Sequence, residues 1–126
     1  MFFVHRILII DDDDDIREVA ALTLEATAGW TIYTAPCGRD GIDVALEQKP
    51  DAILMDVMMP TMDGPTTFRE MQKVPSLVGI PVILLTAKVQ GVDQRRFAGL
   101  GVRAILFKPF DPLTLAEQMS EALGWS

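Results

Sequence analysis

Four apolar runs punctuate the chain, and each stops on a polar residue able to carry chemistry. Arg6 to Ile10 halts at Asp11, Ala52 to Met55 at Asp56, Ile80 to Leu85 at Thr86, and Val102 to Phe107 at Lys108. Each run is too short for a helix and is bounded by polar or turn residues. Such runs predict strands buried on both faces, as in a parallel sheet. Trp30 to Ala35 alternates roughly and predicts another strand, which is second in chain order. Between the strands the apolar positions change to helical spacing. Ile16, Val19, Ala20, Thr23, Leu24 and Thr27 mark a first helix, capped by Asp13 or Asp14 and stopped by Gly29. After a turn at Pro36-Cys37-Gly38, Ile42, Ala45 and Leu46 mark a short helix that ends at Lys49-Pro50. Asp63-Gly64-Pro65 opens a third helix with Phe68, Met71 and Val74 inward and Pro75 at its end. A fourth is expected over Gln90 to Leu100, weakened by Gly91 and Gly99. Asp111-Pro112 starts the last, with Leu115, Met119, Ala122 and Leu123 in one stripe.

Strand and helix therefore alternate through the whole chain. Right-handed crossovers then put helices on both faces of one parallel sheet. The expected fold is α/β, a doubly wound, flavodoxin-like (βα)5 sheet with strand order 2-1-3-4-5. Its 126 residues fit one domain, taken as 1–126.

Composition narrows the function. The net charge of −7 argues against direct nucleic-acid binding and against an anionic membrane surface. No apolar run is long enough to span a bilayer, and the N-terminus lacks the pattern of a signal peptide. The one cysteine, Cys37, excludes an internal disulfide and suits a reducing cytoplasm, where Cys37 is a small turn or core residue. His5 has no companion for a metal or triad site and is expected to be exposed.

The strand ends change the picture more. Five of the 18 acids are consecutive, Asp11 to Asp15, directly after the first strand. In the order 2-1-3-4-5 the first and third strands are neighbours at the switch point, which brings Asp11, Asp12 and Asp56 together. Clustered carboxylates need a neutralising partner, and an oxygen-rich set suits Mg²⁺. Thr86 and Lys108, on the other side, suit an anion. A cation site beside an anion site with a carboxylate between them predicts phosphoryl transfer to Asp56.

Four segments carry a resemblance: ILIIDDDDDIRE at 7–18, DAILMDVMMPTMDG at 51–64, PVILLTAK at 81–88 and KPFDPLTL at 108–115. In this order and spacing the chain resembles the receiver domain of two-component response regulators, of the single-domain, chemotaxis-regulator kind. The resemblance implies that Asp56 accepts the phosphoryl group. It implies that Asp12 binds Mg²⁺ directly, Asp11 mainly through water, and Met58 through its backbone carbonyl. Thr86 and Lys108 then contact the phosphoryl group, with Ala87 as a further binding residue, and Lys108-Pro109 is expected to be cis. The implied partners are a histidine kinase or phosphotransfer protein and a downstream protein. The implied contact or dimer face joins the helix expected at 90–100, the strand at 102–107 and the last helix. The chain is expected to assist its own phosphorylation and dephosphorylation in the cytoplasm, with no separate output enzyme.

Some positions depart from the family's commonest pattern. Asp13 and Asp14 stand where glutamate and proline are frequent, and Ile105 where an aromatic residue often couples to the threonine. Phe107 shares the face of Ile105 but lies nearer the site. Met58, two residues after Asp56, is read as a shield for the phosphoryl group, and Lys88 as an attractor of the anion or a partner of the acidic run. Two alternatives stand beside the receiver. A haloacid-dehalogenase-like phosphohydrolase would use Asp11 as nucleophile but leaves Asp56 unexplained. A degenerate receiver would bind partners without phosphorylation.

Overall fold

The computed structural model describes residues 4–87, 97 and 99–125. Five parallel strands form one sheet: β1 (Arg6–Ile10), β2 (Thr31–Ala35), β3 (Ala52–Asp56), β4 (Val82–Ala87) and β5 (Ala104–Lys108). Their order is 2-1-3-4-5, as expected. Among the described residues the helices are α1 (Asp14–Ala28), α2 (Gly38–Gln48), α3 (Gly64–Met71) and α4 (Leu115–Leu123). The helix expected over 90–100 lies mostly outside the described residues, as does Lys88.

Side-chain alternation explains why the central strands are apolar throughout. Ile7, Ile9, Ala52, Leu54, Ile83 and Leu85 pack on one face against Ala20 and Leu24 of α1 and Leu115, Met119 and Leu123 of α4. Leu8, Ile10, Ile53, Met55, Val82 and Leu84 pack on the other against Ala45 of α2 and Phe68 and Met71 of α3. With a layer on each face, the central strands β1, β3 and β4 leave no interior position for a polar residue until their ends, whereas the edge strand β2 carries exposed Thr31 and Thr34. Burying the side chain of a residue such as Leu54 contributes roughly 2 kcal/mol, so the alternation is strongly selected.

The expected boundaries hold to within a few residues, with physical reasons for the differences. Trp30 precedes β2, and β4 begins at Val82 because Pro81 has no N–H for a ladder. Gly38 is the first residue of α2, and Cys37 is its N-cap, with Sγ accepting from Asp40 N–H. Helix α3 stops at Met71, so Val74 lies in the turns that follow. Asp111 does not cap α4 directly. Its carboxylate accepts from Leu113 N–H at 2.9 Å and its carbonyl from Leu115 N–H at 3.0 Å. It thus organises a tight turn that winds into the helix at Leu115. Val19 is 45 % exposed, although its spacing put it on the inner stripe of α1.

His5 also differs from expectation. Its ring stacks on Trp125 with centroids 3.6 Å apart, and Trp30 meets Trp125 edge-on at 5.4 Å. The end of α4 brings Trp125 back to the start of β1, a contact far apart in sequence. Arg103 caps the same helix end, donating from Nε to the Ala122 carbonyl at 3.0 Å. Stacked and edge-on aromatic pairs contribute about 0.5–1.5 kcal/mol each beyond burial. Trp125→Ala is therefore expected to lose about 2 kcal/mol in urea unfolding, without affecting chemistry at the opposite pole of the sheet.

Candidate functional site

Strand parity aims three of the expected site residues at one another. Asp56 continues the Ala52, Leu54 series of β3, and Lys108 continues the Ala104, Leu106 series of β5. Asp11 follows Ile7 and Ile9 one step beyond β1. All three share the face covered by α1 and α4. Strand β4 lies between β3 and β5, so the lysine stem crosses a strand to reach its partners. Lys108 Nζ lies 3.1 Å from Asp56 Oδ1 and 3.2 Å from Asp11 Oδ2.

The β1–α1 turn gives its consecutive acids separate tasks. Asp11 is 1 % exposed, and its Oδ1 accepts from Asp13 N–H at 2.9 Å. Asp12 is exposed at the mouth of the site. Asp13, one of the two candidates for the N-cap, is the cap, its Oδ1 accepting from Asp15 and Ile16 N–H. Asp14 pairs with Arg17, whose Nη1 also donates to the Asp11 carbonyl at 2.7 Å.

Asp11, Asp12 and Asp56 offer carboxylate oxygens within 4.8 Å of one another. Asp11 Oδ2 is buried without a hydrogen bond, its ion-pair contact with Lys108 lacking hydrogen-bond geometry. An all-oxygen donor set with a buried oxygen of this kind fits a hard divalent cation such as Mg²⁺. Burial and then the Asp11 charge push the Asp56 carboxyl up to about 6, against the opposing pull of Lys108. Burial draws Lys108 down, but Asp56 and Asp11 outweigh it and hold the ammonium above its ordinary value. At neutral pH Asp56 is therefore mainly an anion with a cation beside it, the state a nucleophilic carboxylate needs.

Thr86 is buried at the end of β4, with Oγ1 3.4 Å from the Ala87 carbonyl. By parity it points to the face opposite Asp56 and Lys108. Its neighbour in register on β5 is Phe107, whereas Ile105 pairs with Leu84 and packs into the core. The Met58 side chain is 74 % exposed. The Lys108-Pro109 peptide is cis, as expected.

Below Asp56, Gly64 donates its N–H to the Val57 carbonyl at 2.9 Å. A Cβ at Gly64 would stand 2.5 Å from the Asp56 carbonyl oxygen. The motif had marked this glycine only as a helix start. Sequence reasoning also missed Arg17, which carries no spacing signal toward the acids, and a groove beside Lys108. That groove, about 540 Å³, lies between Asp15, Ile16 and Val19 of α1 and Pro109, Phe110 and Pro112, with Ala87 at its edge.

Comparison with known proteins agrees with this architecture. The family model of the response regulator receiver domain matches residues 7–120. The chemotaxis protein CheY4 of Vibrio cholerae superposes with a TM-score of 0.88 at 28% identity, covering 95% of this chain and 99% of that one. The signal receiver domain of a signal transduction histidine kinase from Syntrophus aciditrophicus gives 0.84 at 31%, covering 96% and 91%. A response regulator receiver domain protein from Clostridium thermocellum gives 0.82 at 27%, covering 96% and 95%. With its fold, its strand-end acids and this match together, the chain belongs to the response regulator receiver domain family of two-component signalling.

Proposed function

We propose that the chain is a phosphorylation-controlled switch in which Asp56 accepts a phosphoryl group. The observation that carries this reading is the Asp56 carboxylate, buried between Lys108 and two further acids. An Asp56 oxygen attacks phosphorus, and the bond to the donor's imidazole nitrogen or acyl oxygen breaks. The donor leaves with the bonding electrons, and an imidazole leaving group regains a proton. Asp11, Asp12, Asp56 and the Met58 carbonyl would hold Mg²⁺, which supplies charge neutralisation between the carboxylate and the incoming phosphate. Lys108 releases one carboxylate contact and follows the phosphoryl oxygens. Thr86, whose side chain starts from the other face of β4, would turn its hydroxyl over the strand end to the same group, and Ala87 borders it. The phosphohydrolase alternative gave Asp56 no role, whereas here Asp56 is the centre of the cluster.

The donor is a histidine kinase or a phosphotransfer protein. The groove beside Lys108 is a place for its apolar side chains, which gives exposed Val19 a purpose. Phosphorylation shifts populations between two arrangements of the face that includes β5 and α4. That face meets a downstream protein or a second copy. Domain extent 1–126 and action in the cytoplasm belong to this reading. Among the described residues no helix is long and apolar enough to cross a membrane.

The test is incubation with Mg²⁺ and a small acyl-phosphate donor, followed by intact mass measurement beside Asp56→Asn. The parent is expected to gain one phosphoryl group only when Mg²⁺ is present, and the variant none. Equal gain in both moves the nucleophile to another residue. No gain in either, with a phosphotransfer protein also failing, makes this a degenerate receiver.

A further inference from the structure

We infer that Arg17 is a positioning residue for the cation site, acting through the backbone of Asp11. The inference rests on the proposed binding of a divalent cation by Asp11, Asp12 and Asp56.

Arg17 closes the first turn of α1, with its side chain 19 % exposed. One end of the guanidinium donates to the Asp11 carbonyl at 2.7 Å, and the other to Asp14 Oδ1 at 2.5 Å. These acceptors sit at the two ends of the turn that carries the acids. The clamp therefore ties the end of β1 to the start of α1 across Asp12 and Asp13. The turn is held besides by Asp13 N–H on Asp11 Oδ1, by Asp15 and Ile16 N–H on Asp13 Oδ1, by Asp11 N–H on the Ala35 carbonyl and by the Lys108 contact with Asp11 Oδ2. None of these holds the Asp11 carbonyl. A rigid planar fork suits this bridging, and a lysine can replace only part of it. The Asp14 pair is exposed on the carboxylate side, 83 %, and contributes little by itself. The carbonyl contact is the one that counts.

Charge and position make opposite predictions here. Arg17 is a cation near a site for a second cation, so its charge alone opposes metal binding. If it acted only by charge, removing it would tighten the affinity. If it positions Asp11 and Asp12, removing it loosens the turn and weakens the affinity, because donor placement is lost before binding.

The experiment is calorimetric titration of the metal-free protein with Mg²⁺ alone, with each variant checked for folding by circular dichroism. Arg17→Gln is expected to raise the Kd for Mg²⁺ about fivefold or more, Arg17→Lys to fall between it and the parent, and Asp14→Asn to stay within about twofold of the parent. Rescue by lysine in a folded protein separates positioning from general loss of structure. An unchanged or tighter Kd in Arg17→Gln overturns the inference while leaving the cation site intact. Absence of Mg²⁺ binding by the parent, or undiminished binding by Asp12→Asn, overturns the proposed cation site and the inference with it.

Discussion

Asp56→Asn is expected to stabilise the metal-free protein at pH 7 while abolishing phosphoryl uptake. In the folded chain the Asp56 carboxyl is pushed up to about 6, first by burial and then by the Asp11 charge. In the unfolded chain it returns to about 3.9. Between these values the folded state keeps a proton that the unfolded state releases. The stabilisation from that proton is full below about pH 4 and is lost as pH rises through about 6. The parent therefore loses stability across this window and the asparagine variant does not. The difference between these two values corresponds to roughly 3 kcal/mol, and solvent at the mouth of the site screens part of it, leaving about 1–2 kcal/mol. Thermal melts of both proteins from pH 4 to 8 without metal read the difference. The melting temperature of the variant is expected to exceed that of the parent by several degrees at pH 7 and to converge with it at pH 4. Excess Mg²⁺ should narrow the gap, because metal bound to the folded state stabilises it and the variant has lost one carboxylate. Equal melting temperatures at pH 7 would show that the buried cluster carries no electrostatic cost.

Gly64→Ala is the other large effect, and it is steric. The new methyl would lie 2.5 Å from the Asp56 carbonyl oxygen and 3.0 Å from the Val57 Cα. Both obstacles are backbone, so no flexible side chain can swing aside. The start of α3 must move off the end of β3, weakening the bond from Gly64 N–H to the Val57 carbonyl. Overpacking of this kind costs about 2–3 kcal/mol, and a melting temperature lower by about 10 °C is expected. The same displacement shifts Asp56, so phosphoryl uptake should slow in the fraction that remains folded. Uptake at the parental rate would mean that the loop absorbs the methyl without disturbing the carboxylate.

The two variants together separate what could be read along the chain from what could not. The strands were legible because β1, β3 and β4 are apolar on both faces, and such runs have few other folded solutions. The residue that ends each run was legible for the same reason, since a polar side chain there marks the exit from the core. Strand order and the meeting of Asp11, Asp12 and Asp56 followed from the doubly wound pattern of alternating strands and helices, whose switch point sets the first and third strands side by side. Helix boundaries were less legible. Asp111 and Pro112 carry a strong start signal, yet backbone bonds to Asp111 place a turn before the helix at Leu115.

Tertiary structure alone decided the rest. Five identical acids in a row cannot be told apart by type. Their tasks divide because β1 buries Asp11, α1 is capped by Asp13, and Arg17 takes Asp14 and the Asp11 carbonyl. The reach of Lys108 across β4, the partnership of Thr86 with Phe107, and the stacking of His5 on Trp125 join positions far apart in sequence. Val19 fits the inner stripe of a helix viewed alone, but the loop of Pro109, Phe110 and Pro112 turns its surroundings into a groove. Periodicity reports which face of one element is apolar. What lies opposite that face is set by packing between elements, and that exists only once the chain has folded.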